Sequence, residues 1–317
     1  MSGSLSIVGL GPGGSSHRTA AAERAVREAD VVIGYGPYVD QCADLLDGQE
    51  VVRGRMGEEL ARAEEAVTRA RAGARVALVS SGDAGVHGMA ARTLALVAGE
   101  AALCEASVEF LALSSRKSTL GDGEGASADK DAAGGGRGAP GGDVPALRVE
   151  VIPGVTAALA VAARIGAPLA DDWATLSLSD LHVPWATVER RLTALAVSGI
   201  ALALYNPRSA TRTEPFERAL AILRAHRPPD TPAIVATDVA RPTEAIVTTT
   251  LADLDPETVT MRTLVLVAGD TATWAGQHLI ARRGGSDPLT IRNRPEQGFS
   301  YEHSVEGSDP SKSEGSA

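Results

Sequence analysis

In the first half of the chain, short β-branched runs alternate with Ala-rich stretches that carry their charge on one side. SIVGL, VVIG, VALVSS and VEVIP read as buried strands bounded by Gly or Pro. Between them, TAAAERAVREA and EELARAEEAVTRARA set Ala, Leu and Val at helical spacing. Such alternation predicts a parallel sheet with right-handed crossovers, and so an α/β fold. The second half supplies ATLSLS, GIALALYN, TPAIVATDV, EAIVTTTL and RTLVLVAG as strands, with helices near TVERRLTAL and PFERALAILRAH. No helix separates TPAIVATDV from EAIVTTTL, which predicts a mixed sheet there.

Two α/β domains follow, over residues 1–157 and 158–284. Residues 114–145 are rich in Gly, Ser, Ala and Asp with almost no large apolar side chain, and read as a disordered insertion in the first domain. Residues 285–317 are polar and Ser/Gly-rich and read as a flexible tail.

The net charge of −10 argues against a general nucleic-acid binder, which needs clustered Lys and Arg. Cys42 and Cys104 lack metal-site or disulfide-framework spacing, so no metal is expected. The N-terminus has no signal-peptide pattern, and LTALAVSGIALALY is broken at Ser198 and Gly199 and too short to span a bilayer. A cytoplasmic protein without a membrane partner is the expectation.

GLGPGG at residues 9–14 satisfies the dinucleotide fingerprint G-x-G-x-x-G. Two requirements for NAD fail. Pro12 removes a backbone donor from the turn, and the strand VVI ends in Gly34, Tyr35 and Gly36 without an acidic residue for a ribose. Similar turns follow VALVSS (SGDAGVHG, residues 81–88) and VEVIP (GVTA, residues 154–157). Three glycine turns at the carboxyl ends of strands in one sheet converge on one cleft, where open α/β sheets bind ligands.

With LYNPRS and TLVLVAG, the motifs GLGPGG, SSGDAGVHGMA and IPGVTAALA resemble the tetrapyrrole methyltransferases of cobalamin and sirohaem synthesis. The resemblance covers about residues 5–274, interrupted by the insertion. It implies two α/β domains of the tetrapyrrole methylase type, the class III S-adenosylmethionine (SAM) methyltransferases. SAM would lie in the interdomain cleft, usually within a homodimer. Carried over by motif, Pro12 lines the cofactor entrance near the substrate. Gly82, Asp83, Val86, Thr156 and Ala157 contact SAM, and Tyr205, Asn206, Ala233, Thr263 and Leu264 form a second wall. Asp83 either orients the cofactor or caps its own turn.

GYGPYVD, SLSDLHVPW and LYNPRSATRT are most similar to family members that methylate carbon 17 of precorrin-3B with ring contraction. An acidic protein binding this polycarboxylate needs placed cations. Arg53, Arg55, Arg208 and Arg212 are the candidates, each with a solvated surface role as its alternative. Trp185 is a substrate-facing ring or a helix-start core anchor. Proton transfers in ring contraction call for an acid or base, and Asp180, His182 and His87 are available. His87, His182 and the GDT at residues 269–271 depart from the usual family pattern, which leaves the individual polar roles open. The rival readings are the cobalt-factor III acceptor of the anaerobic route, a modified protein histidine as acceptor, a NAD-dependent oxidoreductase and an inactive binding protein.

Overall fold

The computed structural model describes residues 3–99, 147–181 and 183–283. His182, Cys104, the 114–145 segment and residues 285–317 lie outside the described residues.

Five strands form the first sheet: β1 (Ser4–Gly9), β2 (Val31–Tyr35), β3 (Glu50–Gly54), β4 (Arg75–Ser80) and β5 (Arg148–Ile152). Their order is β3-β2-β4-β1-β5 and every pairing is parallel. Helices α1 (Ala20–Glu28) and α2 (Gly36–Gln41) cover one face, while α3 (Glu59–Arg71) and α4 (Ala90–Val97) cover the other. Leu5, Ile7, Val76 and Leu78 pack toward Ala63, Ala66 and Val67; Val8, Ala77 and Val79 pack toward Ala22 and Val26. Burial on both faces makes these strands continuous apolar runs instead of alternating ones.

VEVIP departs from the expectation of a buried strand. It is β5, at the sheet edge, with Val151 38% exposed. β3 at the opposite edge is mostly exposed and has no buried run in the sequence to announce it.

The second sheet contains β7 (Trp173–Ser177), β8 (Ala201–Tyr205), β9 (Pro232–Thr237), β10 (Ala245–Thr250) and β11 (Thr263–Val267), ordered β10-β9-β11-β8-β7. It is mixed: β7 and β8 are parallel, while β11 runs against both β8 and β9, and β9 against β10. Helix α5 (Ala157–Ile165) packs on one face against Ala203, Ile234, Leu264 and Leu266. Helices α6 (Trp185–Ser198) and α7 (Glu214–His226) fill the other with Leu192, Phe216, Leu220 and Leu223. A small sheet, β12 (Ala272–Ala275), β13 (His278–Ala281) and β6 (Gly166–Ala167), was not foreseen in the sequence. Its longest strands have four residues, joined through Gly276 at φ +62°.

No helix among the described residues is long and apolar enough to cross a membrane.

Candidate active site

β4, β1 and β5 are neighbours, so the three glycine turns leave adjacent strands at the same end of the sheet. They do more than approach one another. The Gly11 N–H donates to the Gly82 carbonyl at 3.0 Å and the Gly82 N–H returns a bond to Gly11 at 2.7 Å, forming a two-residue antiparallel bridge. A Cβ on Gly9 would lie 2.8 Å from both Gly154 N and Gly82 O, and one on Gly154 would collide with the Gly82 carbonyl. Only glycine permits main chains this close. Asp83 staples the assembly, accepting Gly85 N–H at 2.8 Å through Oδ1 and Gly154 N–H at 2.9 Å through Oδ2. Of its two open roles, the turn cap is the one these bonds supply.

The same bonds argue against a pyrophosphate site. Gly11 and Gly14 spend their N–H groups on Gly82 and Ala240, and Pro12 has none to give.

Across from the turns stands Tyr205, the last residue of β8. Its hydroxyl lies 2.6 Å from Thr156 Oγ1 and accepts the Ala158 N–H at 3.0 Å, at the start of α5. The ring of His87 rests on Tyr205, centroids 5.0 Å apart at 47°. His87 has φ +53° and keeps one side open, and its partial desolvation lowers its pKa below the ordinary 6.5. Burial raises the Tyr205 pKa, opposed by the hydrogen bonds from Thr156 and Ala158. Gly82, Asp83, Val86, His87, Thr156, Ala157 and Tyr205 therefore belong to one cluster of joined loops.

The other expected positions divide. Asn206 follows Tyr205 at φ +49° and donates from Nδ2 to Ser177 Oγ at 3.2 Å. Thr263 and Leu264 begin β11 at the Tyr205 end of the sheet, though the Thr263 hydroxyl is already bonded to Thr237 at 2.9 Å. Ala233 is not brought to the cluster. It pairs with Val267 at the other end of the sheet and faces the α6 and α7 core, because strand side chains alternate.

Two arginines expected to face substrate are turned inward. Arg208 donates to Pro256 O at 2.6 Å and pairs with Glu257. Arg212 donates to Leu178 O at 2.9 Å and Asn206 O at 2.8 Å, tying the ends of β7 and β8 together. Asp180 is exposed and lies 3.9 Å from Arg212 Nε. Arg53, paired with Asp40 at 2.7 Å, and Arg55 remain exposed at the carboxyl end of β3. Trp185 opens α6 and packs on its core with the Arg218 guanidinium 4.9 Å over the ring, which is the anchor role. Pro12 is buried, and its carbonyl accepts from Arg241 Nε at 3.2 Å. Arg241 carried no motif signal in the sequence.

The profile of the family "Tetrapyrrole (Corrin/Porphyrin) Methylases" matches residues 4–108 and 143–255. This chain belongs to the tetrapyrrole methylase family. It is 37% identical over 267 residues to the precorrin-3B C(17)-methyltransferase of Sinorhizobium sp., covering 84% of this chain and 89% of that protein. To the cobalt-factor III methyltransferase of Priestia megaterium it is 34% identical over 297 residues, covering 94% of this chain and 48% of that protein. The chain thus spans about half the length of several curated relatives that it matches. The crystal structure of the methyltransferase CobJ superposes with a TM-score of 0.70 at 32% identity, covering 89% of this chain and all of that one.

Proposed function

We propose that this chain is a SAM-dependent C-methyltransferase that methylates carbon 17 of precorrin-3B with ring contraction, giving precorrin-4 in cobalamin biosynthesis. The observation that carries the reading is the joining of three glycine turns to one another and to Tyr205. A Cβ on Gly82 would meet only Thr156 Cα, at 3.9 Å, so the turn presents bare backbone to open space. Small residues, close backbone approach and few polar groups suit SAM, whose sulfonium supplies an electrophilic methyl. The protein's task is to align two reactants and exclude water, which accounts for much of such a barrier.

Gly82, Val86, Thr156 and Ala157 on one wall, and Tyr205, Asn206, Thr263 and Leu264 on the other, are the residues we assign to SAM, with Pro12 at the entrance and Asp83 shaping the first wall as its cap. Tyr205 and Thr156 fix the two walls against each other. Near neutral pH His87 is mainly uncharged, so a ring nitrogen in the cleft can accept a proton during ring contraction. Asp180 and His182 are the further acid–base candidates. Arg53 and Arg55 keep guanidinium groups exposed at the carboxyl end of β3 and are assigned to the acceptor's carboxylates. A cytoplasmic homodimer is part of the same proposal.

The name of the Priestia megaterium relative favours a second acceptor, cobalt-factor III, which the same cleft would serve. The first test is thermal stabilisation. Demethylated SAM (SAH) at about 100 times its dissociation constant should add roughly 2.7 kcal/mol of stability. A response to NAD and none to SAM or SAH would overturn the proposal.

A further inference from the structure

The connection between β9 and β10, residues 238–244, crosses from the second sheet to the first glycine turn. Ala240 O accepts the Gly14 N–H at 2.7 Å, and Arg241 Nε donates to Pro12 O at 3.2 Å. A Cβ on Gly13 would collide with Ala240 O, so the fit is tight. Two residues of the connection, Asp238 and Ala240, hold left-handed backbone at φ +50° and +61°. Residues with a Cβ stay in that region only where their surroundings over-determine them.

Asp238 is held by Thr243 and Arg262, and Glu244 provides that determination for Ala240. One carboxylate oxygen accepts the Ala240 N–H, and the other pairs with Arg164 at 3.1 Å, with both side chains largely enclosed. Arg164 lies in the last turn of α5, whose first turn is bonded to Tyr205. The bonds therefore close into a ring. It runs from Tyr205 to Ala158, along α5 to Arg164, through Glu244 and the 238–244 loop to Pro12 and Gly14, and back by Gly11, Gly82, Asp83, Gly154 and Thr156. Within that ring Pro12 has no N–H of its own, and its carbonyl is the main-chain group by which the loop holds it.

We propose that the 238–244 loop is a clasp that fixes the first glycine turn over the cleft, and that Arg241 is a positioning residue for methyl transfer, acting through Pro12 without touching either reactant. The second part rests on the methyltransferase reading; the clasp itself does not. A displaced Pro12 misplaces the wall against which the reactants align, and small misplacements are costly in rate.

The test uses the full chain as wild type, Arg241→Ala and Arg241→Lys. Amide hydrogen exchange at Gly14 and Gly11 reads the clasp directly, and SAH calorimetry with kcat and KM reads its consequence. Arg241→Ala should speed exchange at Gly14, weaken SAH and lower kcat by roughly tenfold or more, and leave the acceptor KM nearly unchanged. Arg241→Lys should recover much of both, because an ammonium can still donate to Pro12 O. Unchanged exchange at Gly14 in Arg241→Ala would refute the clasp, whether or not wild type binds SAH. Faster exchange with wild-type SAH affinity and kcat, or no recovery by lysine, would refute the positioning role. Failure of wild type to bind SAH would instead overturn the methyltransferase reading, leaving the exchange result to judge the clasp.

Discussion

Tyr205 Oη stands 2.6 Å from Thr156 Oγ1 and accepts the Ala158 N–H, so one phenol at the end of the second sheet holds the loop that leaves the first. Tyr205→Phe keeps the ring contact with His87 and removes only these bonds. The expected loss is about 1–2 kcal/mol, with the denaturant midpoint lowered at constant m-value. A midpoint within error of wild type would show that the hydroxyl bonds add nothing to the joint.

His87 gives the fold an acid limb. Its folded pKa lies below the ordinary 6.5, because partial desolvation disfavours the charged ring. The unfolded chain therefore takes up this proton first as pH falls. The contribution of His87 to stability is complete above about pH 6.5 and is lost on descending through the folded pKa. Melting temperatures of wild type and His87→Phe, compared from pH 7 downward, should diverge in slope below that point. Parallel profiles would contradict the assignment.

Crowding at the turns makes a paired test. Gly154→Ala places a Cβ against the Gly82 and Gly9 carbonyls, which belong to backbone and cannot swing away. A loss above about 2 kcal/mol is expected. Gly36 has nothing within 4 Å of an added Cβ. Gly36→Ala should be neutral or stabilise by up to about 1 kcal/mol. Equal effects in the two variants would disprove the close approach.

Arg18 is a buried charge with little to hold it. Its side chain is 2% exposed; Nη2 meets Asp44 at 2.7 Å and Nε lies 3.9 Å from Glu23, while Nε and Nη1 have no hydrogen-bond partner. Asp44 is 57% exposed and is not stranded when Arg18 goes. Arg18→Leu should therefore raise stability by about 1 kcal/mol, or roughly 2–4 °C in Tm. Asp44→Asn, which leaves the enclosed guanidinium with only the longer ion pair to Glu23, should lower it. The opposite signs would show that the pair is a net stabiliser.

Strands buried on both faces are legible because Ile7 and Val8, or Val76 to Val79, run without a polar interruption. β3 was not, since Glu50 and Arg53 lie on an edge that water can reach. The glycine turns are readable as turn chemistry at the ends of strands in one sheet, but the adjacency of β4, β1 and β5 is set by the sheet order of the folded chain. Arginine roles were not readable. Whether Arg208 and Arg212 face a ligand or a carbonyl depends on Pro256 and Leu178, which only the folded chain brings near. Ala233 was misplaced because a motif position does not say which end of the sheet, or which face, a strand residue occupies. Arg241 was invisible for the same reason at greater distance: its partner Pro12 is 229 residues away.

The most direct measurement supplies the protein with SAM carrying an isotope-labelled methyl group, together with precorrin-3B and, in parallel, cobalt-factor III. Nuclear magnetic resonance then locates the label in the product. One labelled methyl is expected on carbon 17 of a ring-contracted tetrapyrrole, with loss of that product in Gly82→Leu, whose side chain would enter the cleft at a φ of +68°. Label on another atom, or full turnover by Gly82→Leu, would contradict the proposed function.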